Sequence, residues 1–159
     1  FMSDAPPFVP PEPTHPPLDI MKLFEIAEGL GEMYGEGEIR AEQVDAYAAK
    51  DGARRAEVYA ALVFDPTLQL VGENDAKVEI CTGRCQLFGS IDLLGRLLEL
   101  KDERSREGKA GFDIVPRNCL DLCDFPPVVC TVSKAGSYAH RKVEAEVLGD
   151  ILKAACDST

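Results

Sequence analysis

The first third of the chain places apolar residues at intervals of three and four, which is the spacing of one helix face. Asp19 precedes the first of these segments and is a suitable N-cap. Residues 40–52 and 53–64 show the same spacing, so residues 19–72 are predicted to form a small helical bundle. The apolar positions of the first helix are Ile20, Leu23, Phe24, Ala27, Leu30 and Tyr34.

The periodicity changes in the second half of the chain. The polar, turn-rich segment DPTLQLVGENDAK (65–77) is predicted to be a linker, with a boundary near residue 72. KVEIC (77–81) then alternates apolar and polar residues, with Val78 and Ile80 on one face, and this alternation predicts a strand. Three further strands are predicted at GFDIVP (111–116), PVVCTVS (127–133) and SYAHRKV (137–143), with Gly136 in the tight turn between the last two.

Two helices accompany these strands. Residues 86–104 place Leu87, Ile91, Leu94 and Leu98 on one helical stripe. The segment EAEVLGDILKAAC (144–156) is predicted to close the chain as a helix. Its inward-facing residues are expected to be Val147, Leu148, Ile151 and Leu152.

The predicted order is therefore helices followed by β-α-β-β-β-α, which indicates an α/β fold. We expect a four-stranded sheet flanked by helices over residues 73–159, preceded by the small helical bundle. Residues 1–18 are predicted to be a proline-rich tail, because seven of the eleven prolines lie between residues 4 and 17. Such a tail favours extended polyproline II structure and forms no core of its own.

Composition narrows the classes of partner. The chain has 159 residues, 45% of them hydrophobic, and a formal net charge of −11. This charge disfavours nucleic acid and anionic membrane surfaces, because both require a basic binding surface. No apolar run has the length of a membrane span, and the N-terminus lacks the features of a secretory signal. We therefore expect a cytoplasmic protein without direct membrane insertion, whether or not it is peripheral to a membrane complex.

Four of the six cysteines form two matched pairs with the pattern C-x3-C-x33-C-x3-C. Cys81 and Cys85 follow one predicted strand, and Cys119 and Cys123 follow the next. If these two strands are neighbours, both loops lie at one end of the sheet and four thiolates converge there. The other two cysteines, Cys130 and Cys156, belong to no pair, and Cys130 is predicted to be a small buried hydrophobe.

Four converging thiolates suit a soft, charged centre such as a [2Fe–2S] cluster, zinc or copper(I). Structural zinc sites usually use C-x2-C pairs, and thiol-redox or metallochaperone motifs usually use C-x-x-C. These alternatives, together with cysteines that are merely buried, stay open on spacing alone. A Rieske centre is excluded in practice, because His15 lies in the proline-rich tail and His140 in a predicted strand.

The surroundings of the pairs favour anionic sulfur ligands. A helix beginning near Gln86 would direct its positive N-terminal dipole at the site, and Arg84 and Arg117 would add positive charge. Backbone N–H groups in the TGR (82–84) and LDL (120–122) segments are candidates for hydrogen bonds to sulfur. Gly83 allows the close backbone turn that such a loop needs.

Two stretches of the sequence resemble a known family. VEICTGRCQLFGSIDLLGRLL (78–98) followed by NCLDLCDFPPVVCTV (118–132) is similar to the thioredoxin-like [2Fe–2S] ferredoxins. The resemblance is strongest to the small iron–sulfur subunit of respiratory complex I (NADH dehydrogenase). It extends to the corresponding subunits of NAD-linked hydrogenases and formate dehydrogenases. It covers residues 76–157 and implies a thioredoxin-like [2Fe–2S] domain over residues 73–159.

This resemblance implies a set of ligands and a set of partners. The implied cluster ligands are Cys81, Cys85, Cys119 and Cys123. The implied partners are a flavoprotein subunit that binds FMN and NAD(H) and other iron–sulfur subunits of the same complex. This chain has no G-x-G-x-x-G fingerprint and no evident catalytic base or nucleophile. The resemblance therefore implies a non-catalytic subunit that carries single electrons.

One departure from the family concerns the first cysteine pair. The complex I subunit usually spaces this pair as C-x4-C, whereas Cys81 and Cys85 are separated by three residues. The shorter loop is predicted to alter the environment of one iron without abolishing ligation.

Overall fold

The computed structural model describes residues 12–120 and 125–157. In these ranges it contains five α-helices, six strands and three short 3₁₀ helices. The α-helices are α1 (Ile20–Tyr34), α2 (Ala41–Asp51), α3 (Arg55–Ala61), α4 (Ser90–Arg106) and α5 (Leu148–Cys156). The strands are β1 (Gly37–Ile39), β2 (Leu68–Leu70), β3 (Ala76–Cys81), β4 (Phe112–Arg117), β5 (Val129–Ser133) and β6 (Gly136–His140). The 3₁₀ helices are Leu62–Phe64, Arg84–Phe88 and Ala145–Val147.

The first predicted helix is confirmed, although its buried face is narrower than the apolar stripe. The Asp19 carboxylate caps α1 by accepting hydrogen bonds from the backbone N–H groups of Met21 and Lys22. Two of the six apolar positions, Ile20 and Phe24, are 51% and 48% exposed. Ile20 is the first residue of α1, and Phe24 packs its ring edge-on against Phe64, whereas Leu23, Ala27 and Leu30 are buried.

The second and third predicted helices are confirmed as α2 and α3. Gly52 ends α2 in the left-handed conformation with φ 74°, which glycine adopts without steric cost. Arg55 then joins three helices, because its guanidinium bonds the carboxylates of Asp45 on α2 and Asp102 on α4 at 2.9 and 2.7 Å. A forked guanidinium matches two carboxylates well, so this half-buried contact fixes the helical region against α4.

The predicted linker contains a strand. β2 pairs in parallel with β1, with Gly37 opposite Leu68, and forms a separate two-stranded sheet. The linker prediction was wrong here because a strand of three residues is too short to show a clear alternation. The predicted domain boundary near residue 72 stays a prediction. Buried side chains from both sides of it, including Leu30, Tyr59, Leu97 and Ile114, belong to one continuous core.

The four-stranded sheet flanked by helices is confirmed. Its strand order is β4-β3-β5-β6, with β3 and β4 parallel and the other neighbours antiparallel. Helices α4 and α5 pack on the face that buries Val78, Ile80 and Ile114. Gly136 is the first residue of β6, opposite Ser133, rather than a residue of the turn.

The long helix after the first cysteine pair begins later than predicted. Residues Arg84–Phe88 form a 3₁₀ helix, and Gly89 follows with φ 94°, so α4 starts only at Ser90. The left-handed conformation of Gly89 interrupts the helical path. Leu87 therefore lies outside α4, and the helix dipole does not begin at Gln86 as the sequence predicted.

The C-terminal helix is confirmed, but one of the residues predicted to face inward is exposed. Val147 was predicted to face inward, but it is 42% exposed because it belongs to the 3₁₀ helix that precedes α5. Leu148 and Leu152 are buried as predicted. In the described residues, no helix is both long and apolar enough to cross a membrane.

A buried carboxylate fixes the start of the paired strands β3 and β4. Asp113 is 4% exposed. Its oxygens accept hydrogen bonds from the backbone N–H of Glu73 at 2.9 Å and from the backbone and side-chain N–H groups of Asn74 at 3.2 and 3.0 Å. These bonds join the segment before β3 to β4, so the carboxylate ties the two strands together at the end opposite the cysteines.

We expect Asp113→Ala to lower the free energy of unfolding by about 2–3 kcal/mol, because it leaves several N–H groups without an acceptor in a buried place. Urea unfolding measures this change. The matched control is Asp75→Ala, whose carboxylate is 83% exposed and pairs with the exposed Lys134 at 3.5 Å. The control should change stability by less than about 0.5 kcal/mol. Equal effects of the two substitutions would contradict the role assigned to Asp113.

Candidate metal centre

The two cysteine-bearing loops leave the sheet side by side. Cys81 is the last residue of β3 and is paired in register with Arg117, the last residue of β4. Because β3 and β4 are parallel, the segments that follow them emerge at the same edge. The condition stated for the sequence, that these two strands are neighbours, is met.

Cys81 and Cys85 lie together beneath this edge. Each is 2% exposed, and both pack with Val128 in a small apolar cluster bordered by Leu120 and Cys130. The Cys85 thiol forms a hydrogen bond with the Cys81 sulfur. The structure thus brings the first predicted pair of ligands into direct contact, in a place where water is largely excluded.

The environment of Cys81 favours its thiolate form. The hydrogen bond from Cys85 is the largest cause and lowers the pKa of Cys81 to about 6, whereas burial acts in the opposite direction. Backbone N–H groups of Gly83, Cys85 and Leu120 lower this pKa further. Hydrogen bonds to sulfur were expected from the TGR and LDL segments, and Gly83 and Leu120 belong to them. A thiol with this pKa is mostly ionised at neutral pH, which is the form that binds metals.

The backbones of the two loops are in contact at Gly83. A Cβ atom added at this residue would collide with the carbonyl oxygen of Asn118. The φ of Gly83 is −77°, so the constraint is the close approach of the second loop and not a left-handed backbone. Gly83 was predicted to allow a tight turn, and the structure shows that its missing side chain also allows the two loops to touch.

Hydrogen bonds reinforce this contact on both sides. The backbone N–H of Thr82 donates to the Arg117 carbonyl at 2.7 Å, and the buried Thr82 hydroxyl donates to the same oxygen at 3.3 Å. When Cys81 is protonated, its thiol also donates to the Asn118 carbonyl at 3.4 Å, and ionisation removes this bond. In either form, Thr82 and Gly83 of the first loop are held against the start of the second.

The second cysteine pair is placed only in part. Cys119 has an exposed side chain and lies between Asn118 and Leu120, both of which contact Cys81 through their backbones. Cys123 lies outside the described residues. Within residues 12–120 and 125–157, no three His, Cys, Asp or Glu side chains are grouped so that they could hold a metal ion.

The donor chemistry of the described part nevertheless fits a soft metal centre. Cys81 and Cys85 offer two buried sulfur atoms, one of them favoured as thiolate, with backbone N–H groups directed at it. Sulfur ligands that accept backbone hydrogen bonds suit iron–sulfur clusters and zinc sites. The set also fits a reactive dithiol, because two adjacent thiols with one lowered pKa have the arrangement that thiol exchange uses.

The charges near the site differ from the sequence-based expectation. The Arg117 guanidinium bonds the Glu79 carboxylate at 3.1 Å, so its positive charge is compensated locally. Arg84 is exposed at the first loop. The stabilisation of the Cys81 thiolate therefore comes from hydrogen bonds rather than from the arginine side chains.

The two unpaired cysteines have different surroundings. Cys130 is half-buried beside the cluster of Cys81 and Cys85, and burial raises the pKa of its thiol. Cys156 packs against the main core at the end of α5, where burial likewise raises its pKa. Neither thiol has the features that favour ionisation of Cys81.

Three residues of the site were not found from the sequence. Asn118 acts through its backbone carbonyl, and Thr82 acts through its backbone groups and its hydroxyl, so neither contact is evident from residue type. Gln86 lies on the 3₁₀ helix directly after Cys85, and its side-chain amide donates to the Thr82 carbonyl at 3.4 Å. The only available signal was its position next to a cysteine.

Comparisons with known proteins give a limited result. No family model matches the chain, and no curated protein matches it. Two solved structures of a thioredoxin-like [2Fe–2S] ferredoxin from Aquifex aeolicus are similar to it, each at 18% sequence identity. One covers 51% of this chain and 79% of the ferredoxin with a TM-score of 0.43. The other, of the wild-type ferredoxin, covers 54% and 88% with a TM-score of 0.44.

Proposed function

We propose that this chain is a [2Fe–2S] electron-transfer subunit of a multi-subunit NAD(P)-linked oxidoreductase. The observation that carries this proposal is the buried Cys81–Cys85 pair, in contact with the loop that bears Cys119 and with backbone N–H groups directed at the Cys81 sulfur. The four cluster ligands would be Cys81, Cys85, Cys119 and Cys123. When bound, a cluster of this kind accepts and releases one electron at a time.

The protein's own residues have defined tasks in this proposal. Cys81 is ready to bind because its lowered pKa leaves little proton to displace at neutral pH. The N–H groups of Gly83 and Leu120 offset negative charge on sulfur, and such hydrogen bonds tune a cluster's reduction potential. Val128 and Leu120 keep water away from the first pair of thiols.

Hydride transfer would be performed by the proposed partner subunits. A flavoprotein subunit would bind FMN and NAD(H) and perform hydride transfer, and this chain would pass single electrons between it and other iron–sulfur subunits. The support is the resemblance of residues 78–98 and 118–132 to the small subunit of such complexes, together with the missing dinucleotide fingerprint. This chain would then contribute no catalytic residue.

A second function is favoured by one specific observation, which is that Cys81 and Cys85 are buried together and joined by a hydrogen bond between their sulfur atoms. A thioredoxin-like thiol-redox domain would use this pair as a dithiol. The Cys81 thiolate would attack a partner disulfide, and Cys85 would then displace the partner. The pair would become a disulfide, the partner disulfide would become two thiols, and two electrons and two protons would pass to the partner.

Metal and spectroscopic analysis of the anaerobically purified chain tests the first proposal. We expect two irons and two sulfides per chain, and an EPR signal after one-electron reduction. Serine substitution at any of the four proposed ligands, for example Cys119→Ser, should remove the signal. Cys130→Ser and Cys156→Ser are the matched controls and should retain it.

Two results would contradict the cluster proposal. A colourless protein that binds one zinc ion and gives no signal on reduction would indicate a zinc-stapled interaction module instead. A Cys81–Cys85 disulfide that forms and is reduced in cycles with a reductase, detected by mass spectrometry, would indicate the thiol-redox function. Loss of the signal in Cys130→Ser alone would show that the ligand set is wrong.

The contact between the two loops gives an independent prediction. We expect Gly83→Ala to cost about 1–3 kcal/mol of unfolding free energy, because the added methyl group forces the Asn118 carbonyl away. The same displacement should reduce cluster content, measured as iron per chain. Gly95→Ala is the control, since Gly95 lies within α4 and an added Cβ meets no atom within 4 Å. It should keep full iron content and be about 0.5–1 kcal/mol more stable.

A further inference from the structure

The last residues of the proline-rich tail are attached to the segment that follows Cys85. We call residues 14–18 the N-terminal strap. The backbone N–H groups of Thr14 and His15 both donate to the Leu87 carbonyl, at 2.9 and 3.0 Å. Leu87 belongs to the 3₁₀ helix Arg84–Phe88, which contains Cys85. The strap is thus bonded to the same short element that carries a proposed ligand.

The strap has a second attachment point on the same element. The backbone N–H of Leu18 donates to Oε1 of Gln86 at 2.5 Å. Pro16 and Pro17 lie between the two attachment points. Proline restricts the backbone to extended conformations, so this segment loses little entropy on docking and its two attachments act together.

The His15 side chain adds a third attachment. Its Nε2 atom lies 3.2 Å from the Asp92 carboxylate in the first turn of α4. The ring also lies against Gly89, where an added Cβ would come within 3.1 Å of the ring's Cε1. The strap therefore spans the whole connection between Cys85 and α4.

Gln86 connects this strap to the turn between the two cysteines. Its Oε1 accepts from Leu18, and its Nε2 donates to the Thr82 carbonyl at 3.4 Å. The two partners fix the amide orientation, because an N–H needs an acceptor and a carbonyl needs a donor. Thr82 is held in turn by the Arg117 carbonyl at 2.7 Å, so the bonds continue from the strap to the second loop.

We propose that Gln86 is a positioning residue that couples the N-terminal strap to the Cys81–Cys85 turn, so that the docked strap holds the turn closed over the two thiols. A planar amide transmits this coupling because displacement of Leu18 rotates the group that bonds Thr82. The coupling itself is a property of the chain without any metal. Its importance for the cluster rests on the function proposed above.

The reactivity of the thiols in the reduced, metal-free full-length chain tests this coupling. Iodoacetamide is added under native conditions, and mass spectrometry gives the alkylation rate at each cysteine. In Gln86→Ala, the rates at Cys81 and Cys85 should rise about fivefold, since one hydrogen bond of ordinary strength no longer opposes opening of the turn. Cys156 is the internal reference, because it lies at the end of α5 against the main core rather than in the cluster of Cys81 and Cys85, and its rate should stay unchanged.

Gln43→Ala is the matched control. Gln43 also accepts a backbone hydrogen bond through its Oε1, from Arg40 at 2.8 Å at the start of α2, but it does not contact the strap. The control should lose a comparable hydrogen bond and leave the rates at Cys81 and Cys85 unchanged. A rise of the same size in Gln43→Ala would overturn the proposal, because it would show a general loss of stability.

Two further variants distinguish the attachment of the strap from the hydrogen bond that Gln86 makes to the turn. His15→Ala removes an attachment of the strap without touching the turn. Amide hydrogen exchange of Thr14 and Leu18 should become faster in it, and alkylation of Cys85 should rise. Gln86→Glu retains an acceptor for Leu18 but has no donor for the Thr82 carbonyl. In this variant the Leu18 amide should stay protected while alkylation rises.

If the strap amides of His15→Ala exchange faster while Cys85 is alkylated at the wild-type rate, the proposal is overturned. It is also overturned if Gln86→Glu is alkylated at the wild-type rate. These outcomes are independent of the cluster. If no variant and no wild-type sample ever holds iron, the proposed function fails while the coupling between strap and thiols is still tested. For a protein that does hold a cluster, Gln86→Ala should also shift its reduction potential relative to Gln43→Ala.

Discussion

The parallel pairing of β3 with β4 is the constraint on which the candidate site depends. It places Cys81 opposite Arg117, so that two loops far apart in sequence begin at the same edge of the sheet. Gly83 then allows the first loop to touch the Asn118 carbonyl of the second. The packing of helices α4 and α5 on the sheet and the hydrogen bonds of Asp113 at the other end of β3 and β4 preserve the register of these two strands. A change of register by one residue would move Cys81 to the other face of the sheet.

Much of the fold could be predicted from the sequence because its elements are long enough to show a period. The six-residue strands β3 and β4 and the helices α1 and α4 all have a clear apolar face. The three-residue strands β1 and β2 have none, so their pairing depends on tertiary contacts that no local pattern shows. The start of α4 was misplaced because Leu87 fits the apolar stripe, although Gly89 breaks the helical path between Leu87 and Ser90.

The site was predictable only as far as residue type reveals chemistry. Two cysteine pairs in one short chain predict ligands, and the structure shows that Cys81 and Cys85 are adjacent and buried. What surrounds them consists mainly of backbone groups, such as the N–H of Leu120 and the carbonyl of Asn118. These groups are the same in every residue, so sequence alone does not show which of them face a sulfur atom. The expected positive charges were visible in the sequence, but the bond from Arg117 to Glu79 compensates one of them.

The three-residue spacing of the first cysteine pair is accommodated by a tight local turn. The chain enters a 3₁₀ helix directly after Gly83, and the N–H of Gln86 bonds the Gly83 carbonyl at 3.1 Å. Cys85 is the second residue of this helix, so the chain reverses within Thr82, Gly83 and Arg84, and the Gly83–Gln86 hydrogen bond closes the turn. The tight turn brings the Cys85 thiol close enough to form a hydrogen bond with the Cys81 sulfur, and this hydrogen bond lowers the pKa of Cys81. The short loop and the thiolate character of Cys81 are therefore two consequences of one local backbone conformation.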